Sequence, residues 1–297
     1  MIHTSGFVSS QAGELFYEVQ GVAGATPFVT VHGGPGFTSY YLEPLFELGN
    51  LLPVVRYDQA GCGRARREGG RRSFSIEGFV EELEALRKAL GVSEMHLFGH
   101  SFGGAVVGEY ALAYPQHVKS VIFACASLDI PRWIQDADRL LSQMPLMQRM
   151  ILREGLRTGA SSAPEFQQAL ASYYRKHVYG CTEKPECLVR AEIESDPQTY
   201  NAVWGAHELA VTGTARGYSI VPRLKDLGCP TLFMCGRFDE ATPEAHQFFA
   251  SSVAGSRCHI FEHSAHHPQL TERAECIEVI RSFLGFTAPL ESSSTVV

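Results

Sequence analysis

Short unbroken apolar runs alternate with helix-period stretches over the first 128 residues. Strands are expected at 15–19, 28–31, 54–57, 95–98 and 118–126. Between them, Phe79, Leu83, Leu86 and Leu90 recur at helical spacing, and Gly91 is a natural stop for a helix over 75–90. A second helix is expected over 103–114, closed by Pro115. Strands separated by helices imply a mostly parallel sheet with helices on both faces.

The pattern changes after residue 128. From 129 to 218 no segment reads as a strand. Leu140, Leu141, Met144, Met147, Met150 and Ile151 suggest one or two amphipathic helices, and 165–177 and 199–211 suggest others. About 90 residues is too long for an ordinary loop. The segment 129–218 is therefore expected to be a helical cap inserted into a core made of 1–128 and 219–297. Strands return at 231–235 and 258–261, and a last helix is expected over 272–284. The tail after Pro289 is polar and expected to fray.

Composition narrows the class. The net charge of −7 and the lack of a broad basic face argue against nucleic acid as a partner. Arg64, Arg66, Arg67, Arg71 and Arg72 cluster in a Gly-rich stretch that reads as a solvated loop. No apolar run reaches the roughly 18 residues of a membrane helix, so no membrane partner is expected. The first residues lack a basic segment followed by an apolar one. Eight scattered cysteines, several inside apolar runs, fit free thiols in a reduced, cytoplasmic setting; Cys181 and Cys187 could pair, but nothing requires it.

The chemistry is concentrated at a few places. Gly99-His100-Ser101-Phe102-Gly103 fits G-x-S-x-G, follows an apolar strand and opens a small-residue helix. That is the strand-to-helix setting in which a sharp turn presents a serine hydroxyl at the sheet's C-terminal edge. An alcohol is a weak nucleophile at neutral pH and needs a base. In this fold the chain order is Ser, then Asp or Glu, then His. Asp239 lies just past an expected strand, on the productive edge; its rival Asp226 precedes the same strand. Of the later histidines, His246 falls in an expected helix and His259 in the last strand. His263, His266 and His267 all lie in the loop that should carry the base, and local pattern does not separate them. A metal site at these three is disfavoured, because no helix or cysteine pair frames them. His32-Gly33-Gly34-Pro35-Gly36 follows a buried strand, as an oxyanion loop does. Gly34 and Phe102 are the expected N–H donors.

Taken together, several stretches resemble the proline iminopeptidases. They are His32-Gly33-Gly34-Pro35-Gly36, Asp58-Gln59-Ala60-Gly61-Cys62-Gly63-Arg64, Gly99-His100-Ser101-Phe102-Gly103-Gly104, Trp204-Gly205-Ala206-His207-Glu208 with Thr212-Gly213, Gly236-Arg237-Phe238-Asp239-Glu240-Ala241-Thr242-Pro243, and Ser264-Ala265-His266. The resemblance implies an α/β-hydrolase with a helical cap, Ser101 as nucleophile, Asp239 as the acid and His266 as the base. It also implies that Glu208 and Glu240 hold the free ammonium group of a small peptide or amine-bearing substrate, and that no cofactor is needed. Ala60 stands where the family usually has Arg, and Thr214-Ala215-Arg216-Gly217-Tyr218 replaces the usual continuation after Glu208. These departures bear on substrate choice. The alternatives are an esterase, amidase, lactonase or thioesterase for a small metabolite, or a ligand receptor on the same scaffold. Epoxide hydrolase or dehalogenase chemistry would place Asp at position 101.

Overall fold

The computed structural model describes residues 1–66 and 73–286. Arg67, Arg71, Arg72 and the tail after Pro289 lie outside the described residues.

One sheet of eight strands forms the centre. In chain order they are β1 (Ile2–Ser10), β2 (Gly13–Gly21), β3 (Phe28–Val31), β4 (Val54–Asp58), β5 (Met95–His100), β6 (Val118–Ala124), β7 (Thr231–Gly236) and β8 (Arg257–Phe261). Their spatial order is β1-β2-β4-β3-β5-β6-β7-β8, antiparallel at β1/β2 and β2/β4 and parallel from β4 onward. The fold class expected from the pattern is thus observed.

The two-residue alternation of the buried strands sorts side chains to two cores. Val29, Val31, Leu97, Val121, Phe123 and Phe233 face one side, against α1 (Ile76–Leu90), which contributes Phe79, Leu83 and Leu86. α2 (Phe102–Ala113) adds Val106 and Tyr110 there. Phe28, Phe98, Ile122, Leu232 and Met234 face the other side. That core is closed by a 3₁₀ segment, Ser39–Asn50, and by Cys276, Ile277 and Ile280 of the last helix.

Five helices stand between β6 and β7: α3 (Ile130–Ser142), α4 (Leu146–Thr158), α5 (Pro164–Tyr174), α6 (Glu186–Ile193) and α7 (Pro197–Val203). A π turn, Arg175–Tyr179, continues α5. Leu140, Leu141, Leu152, Phe166, Leu170 and Tyr173 form a third apolar cluster among α3, α4 and α5. The two ends of this segment meet, Asp129 bridging to Ser219. After β7 come α8 (Pro243–Ser251), α9 (Pro268–Thr271) and α10 (Arg273–Phe283).

Several sequence expectations need correction. The helix expected over 199–211 runs instead from Pro197 to Val203, capped by Asp196, and Gly205 at φ +141° turns the chain away. Met147 and Met150 are exposed: their periodicity with Leu140 and Leu141 spans Pro145, where a new helix starts with a different face inward. β1, the 3₁₀ segment and α6 were not expected.

Arg64 is no solvated loop residue. Its Nε donates to Asp58 at 2.7 Å and its Nη1 to Glu18 at 3.1 Å, and its guanidinium lies over the rings of Phe16 and Tyr40. Asp58 is fully buried; burial alone would raise its pKa, but the hydrogen bond and charge of Arg64 hold it below the usual carboxylate range.

Candidate active site

Strand order reverses around β3: the chain leaves it toward β4 on one side and returns to β5 on the other. In open parallel sheets a crevice forms at such a point, beyond the C-terminal ends of the strands. The loops that follow β3 and β5 are His32–Gly36 and Ser101, so topology alone brings the expected oxyanion loop beside the expected nucleophile.

Ser101 sits at φ 56°, ψ −124°, a conformation rare for a residue with a Cβ. Such strain costs about 1–3 kcal/mol and persists only where the surroundings enforce it. They do so here through close packing. A Cβ on Gly103 would lie 2.2 Å from the Val31 carbonyl oxygen, so β3 and the start of α2 approach as only glycine permits. Ser101 N–H donates to the Ala124 carbonyl, and the Ser101 carbonyl accepts from Gly104 and Ser127. Its hydroxyl takes no hydrogen bond among the described residues, and the side chain is half-buried. Phe102 is the first residue of α2, where N–H groups have no acceptor inside the helix.

In the loop after β3, Gly33 N–H donates to Tyr41 Oη at 2.8 Å. That occupies the Gly33 N–H; the next residue, the expected donor Gly34, is partly exposed and held at φ +112°. His32 supports the loop from beneath: its Nε2 accepts from Gln59 N–H at 3.1 Å, and Gln59 Nε2 donates back to the His32 carbonyl at 3.0 Å.

His266 and Asp239 are brought together from the loops after β8 and β7. His266 Nδ1 donates to Asp239 Oδ1 at 2.7 Å, and both side chains are buried. Burial would raise the Asp239 pKa; the charge and hydrogen bond of His266, a contact from the Cys125 thiol and the charge of His246 outweigh it and hold the carboxyl below its usual range. With Nδ1 committed to Asp239, Nε2 is the nitrogen left for proton transfer.

The other histidines have different surroundings. His263 is exposed. His267 is buried, stacks on His100 at 5.1 Å and accepts at Nδ1 from Gln269 Nε2. His246 Nε2 accepts from Ala126 N–H, and His259 pairs with Glu275. Asp226 is exposed at the opposite end of β7. Potential metal donors on Cys125, Asp239 and His266 lie within 4.8 Å of one another. Two of these groups already share a hydrogen bond, however, and burial pushes the Cys125 thiol well up, away from the thiolate a metal requires.

Glu208 and Glu240 lie close enough for the charge of one to act on the other. Glu240 follows Asp239 and is buried; its Oε2 has no partner at standard hydrogen-bond geometry, although a contact with Tyr173 tempers the rise of its carboxyl pKa. Glu208 Oε1 accepts from Tyr200 Oη at 2.8 Å. Trp133 links this residue to the base: its Nε1–H donates to the Glu208 carbonyl at 3.3 Å, and its ring stands edge-on to His266 at 6.1 Å. Burial pushes both carboxyls up, and the Glu208 charge pushes Glu240 further. The π turn completes the wall. Glu240 N–H and His266 N–H donate to the carbonyls of His177 and Val178, and His177 Nδ1 to that of Phe238. Sequence pattern had not marked Tyr200, Trp133 or the π turn; the only signal was aromatic residues in an otherwise polar helical segment.

Residues 26–273 match the alpha/beta hydrolase fold family. The proline iminopeptidase of Heyndrickxia coagulans is 36% identical over 286 residues, which is 96% of this chain and 99% of that protein. This chain belongs to the proline iminopeptidase family. Among solved structures, the Mycobacterium smegmatis proline iminopeptidase is 29% identical with a TM-score of 0.85, covering 95% of this chain and 97% of its own. VinJ is 30% identical with a TM-score of 0.87, covering 95% and 98%. Among the described residues no helix is long and apolar enough to cross a membrane.

Proposed function

We propose that this chain is a serine aminopeptidase that releases an N-terminal proline or other small residue from short peptides or amides. The observation that carries this reading is the Glu208–Glu240 pair beside His266 and Asp239. Two neighbouring carboxyls, Glu240 buried and Glu208 partly buried, each raised in pKa by the loss of water, favour a cation between them and penalise an acylated, neutral amine. The curated relatives' name supports the same substrate class.

In this reading Ser101 attacks the scissile carbonyl while His266 Nε2 takes its proton. Asp239 holds the imidazole tautomer and stabilises the imidazolium. The N–H groups of Gly34 and Phe102 bind the oxyanion, each worth roughly 3 kcal/mol at the transition state. His266 then protonates the leaving amine, and water releases the acyl group by the same route. Residues 129–218 act as a cap that encloses the first residue and so favours chain ends over internal bonds. The eight cysteines are all free thiols, which supports a reducing, cytoplasmic setting.

The test is hydrolysis of prolyl-p-nitroanilide beside its N-acetylated form and p-nitrophenyl acetate, with wild type and Ser101→Ala. Ser101-dependent cleavage of the free-amine anilide, with the acetylated form refused, is expected. Cleavage of the ester alone would overturn the aminopeptidase assignment and favour a metabolite esterase.

A further inference from the structure

Tyr41 and His100 lie under the site and have no part in the chemistry above. Both are fully buried. Tyr41 Oη accepts from Gly33 N–H at 2.8 Å and lies 3.0 Å from His100 Nδ1. His100 Nε2 lies 2.7 Å from the His266 carbonyl oxygen. These contacts have only one consistent direction. A carbonyl only accepts, so Nε2 carries the hydrogen. In a neutral imidazole Nδ1 is then bare and accepts from the Tyr41 hydroxyl. Tyr41 Oη in turn accepts from Gly33. Burial, with the charge of His266 added, pushes the His100 pKa down to about 3, so the ring stays neutral and the direction holds at any working pH.

The relay joins three backbone segments that must keep register. Its first member, Gly33, adjoins the oxyanion donor Gly34. Its last acceptor belongs to the base itself, and His100 immediately precedes Ser101. The rings are clamped as well: Tyr41 stands edge-on to His100 and His267, at 5.1 and 5.4 Å.

We infer that Tyr41 and His100 are positioning residues that set the spacing between the Gly34 N–H and the His266 imidazole. This rests on the serine-hydrolase reading of the site. Without the Tyr41 hydroxyl, Gly33 N–H and His100 Nδ1 are both buried without a partner, and the oxyanion loop and the base loop lose their shared anchor. The Glu208–Glu240 pair is not part of the relay, so ground-state binding of the amine should be spared.

The experiment compares Tyr41→Phe with wild type on prolyl-p-nitroanilide and p-nitrophenyl acetate. The kcat for both substrates should fall by about tenfold with KM within about twofold. Affinity for a prolyl boronic acid, which mimics the tetrahedral intermediate, should fall by the same factor as kcat/KM. Affinity for pyrrolidine as a plain amine ligand should not change. A folded Tyr41→Phe protein with unchanged kcat and boronate affinity would overturn the inference. If that variant does not fold, His100 decides: His100→Gln keeps one donor and one acceptor and should retain more activity than His100→Leu, and equal losses at equal thermal stability would overturn it. Ser101→Ala run in parallel separates the two levels. Activity surviving that change would sink the serine-hydrolase reading, whereas loss there with no effect at Tyr41 sinks only the relay.

Discussion

The Tyr200 hydroxyl donates to Glu208 Oε1 across 2.8 Å, a hydrogen bond that steadies one carboxyl of a pair whose other member, Glu240, has an Oε2 without a partner at standard geometry. Tyr200 therefore orients Glu208, while Glu240 keeps an oxygen free for the ammonium group proposed above.

That asymmetry gives a pH signature. Both carboxyls are raised by burial, so they are neutral at low pH and gain charge, and affinity for an ammonium group, as pH rises. For prolyl-p-nitroanilide, kcat/KM should climb through the weakly acidic to neutral range and fall again where the substrate amine loses its proton. Glu208→Gln should shift that acid-side limb to lower pH, because Glu240 keeps its burial but loses one of the charges that raise it. Matched pH–rate profiles with p-nitrophenyl acetate check this, since an ester without an amine should lack that limb. Identical profiles for both substrates would rule the pair out as the source.

Replacing either glutamate should separate binding from chemistry. Glu240→Gln is expected to raise KM for the free-amine anilide by at least about tenfold, the order of one lost charge-assisted contact. Turnover of p-nitrophenyl acetate should stay within about twofold. Equal damage to both substrates would place Glu240 in the triad's support instead.

Asp239→Asn should be far more severe. Oδ1 accepts both from His266 and from Ala241 N–H at 2.8 Å, and an amide there can offer the imidazole a donor and so select the wrong tautomer. A fall in kcat of about 10⁴-fold with KM little changed is expected. Single-turnover kinetics would measure it, and a loss below tenfold would remove Asp239 from the role assigned to it.

Gly103→Ala tests the elbow. The new methyl would meet the Val31 carbonyl oxygen at 2.2 Å, and backbone on both sides cannot yield cheaply. Destabilisation of about 2–3 kcal/mol is expected, together with loss of fluorophosphonate labelling at Ser101. Denaturant unfolding of the variant would reveal it; wild-type stability would show that β3 and α2 can move apart.

Arg64→Ala should cost about 3 kcal/mol, because it strands the buried Asp58 carboxylate. Folded Asp58 holds its proton more weakly than the unfolded residue does, so the ion pair stabilises above about pH 4 and fades as pH falls further. The gap between wild type and variant should therefore narrow in acid. Thermal unfolding from pH 3 to 7 would follow it, and a gap that did not vary would assign Arg64's contribution to packing on Phe16 and Tyr40.

What could be read from the sequence followed from how local each constraint was. The turn at Ser101 is dictated by its neighbouring glycines, so five residues with a strand before them were enough. The buried strands β3 to β7 announced themselves by short, mostly apolar runs, whereas the edge strand β8, Arg257–Phe261, showed itself only by a few apolar residues at its end. β1 did not, because Ile2–Ser10 is an edge strand with mostly exposed side chains. The segment Ser39–Asn50 has Pro44 inside it and no helical period to read. His263, His266 and His267 were indistinguishable in pattern because the difference is tertiary: one faces solvent, one meets Asp239, and one is stacked beneath. Arg64 was misread for the same reason, since its partners Asp58 and Glu18 come from strands that the loop's own composition does not mention.

The π turn at Arg175–Tyr179 carries a mechanical implication. Its carbonyls receive the N–H groups of Glu240 and His266, and His177 returns a hydrogen bond to Phe238. The helices above the site are thereby riveted to the two loops that bear the acid and the base. Any swing of this roof about that point would therefore pull on both loops, so the helical segment and the two loops beneath it behave as one mechanical unit there.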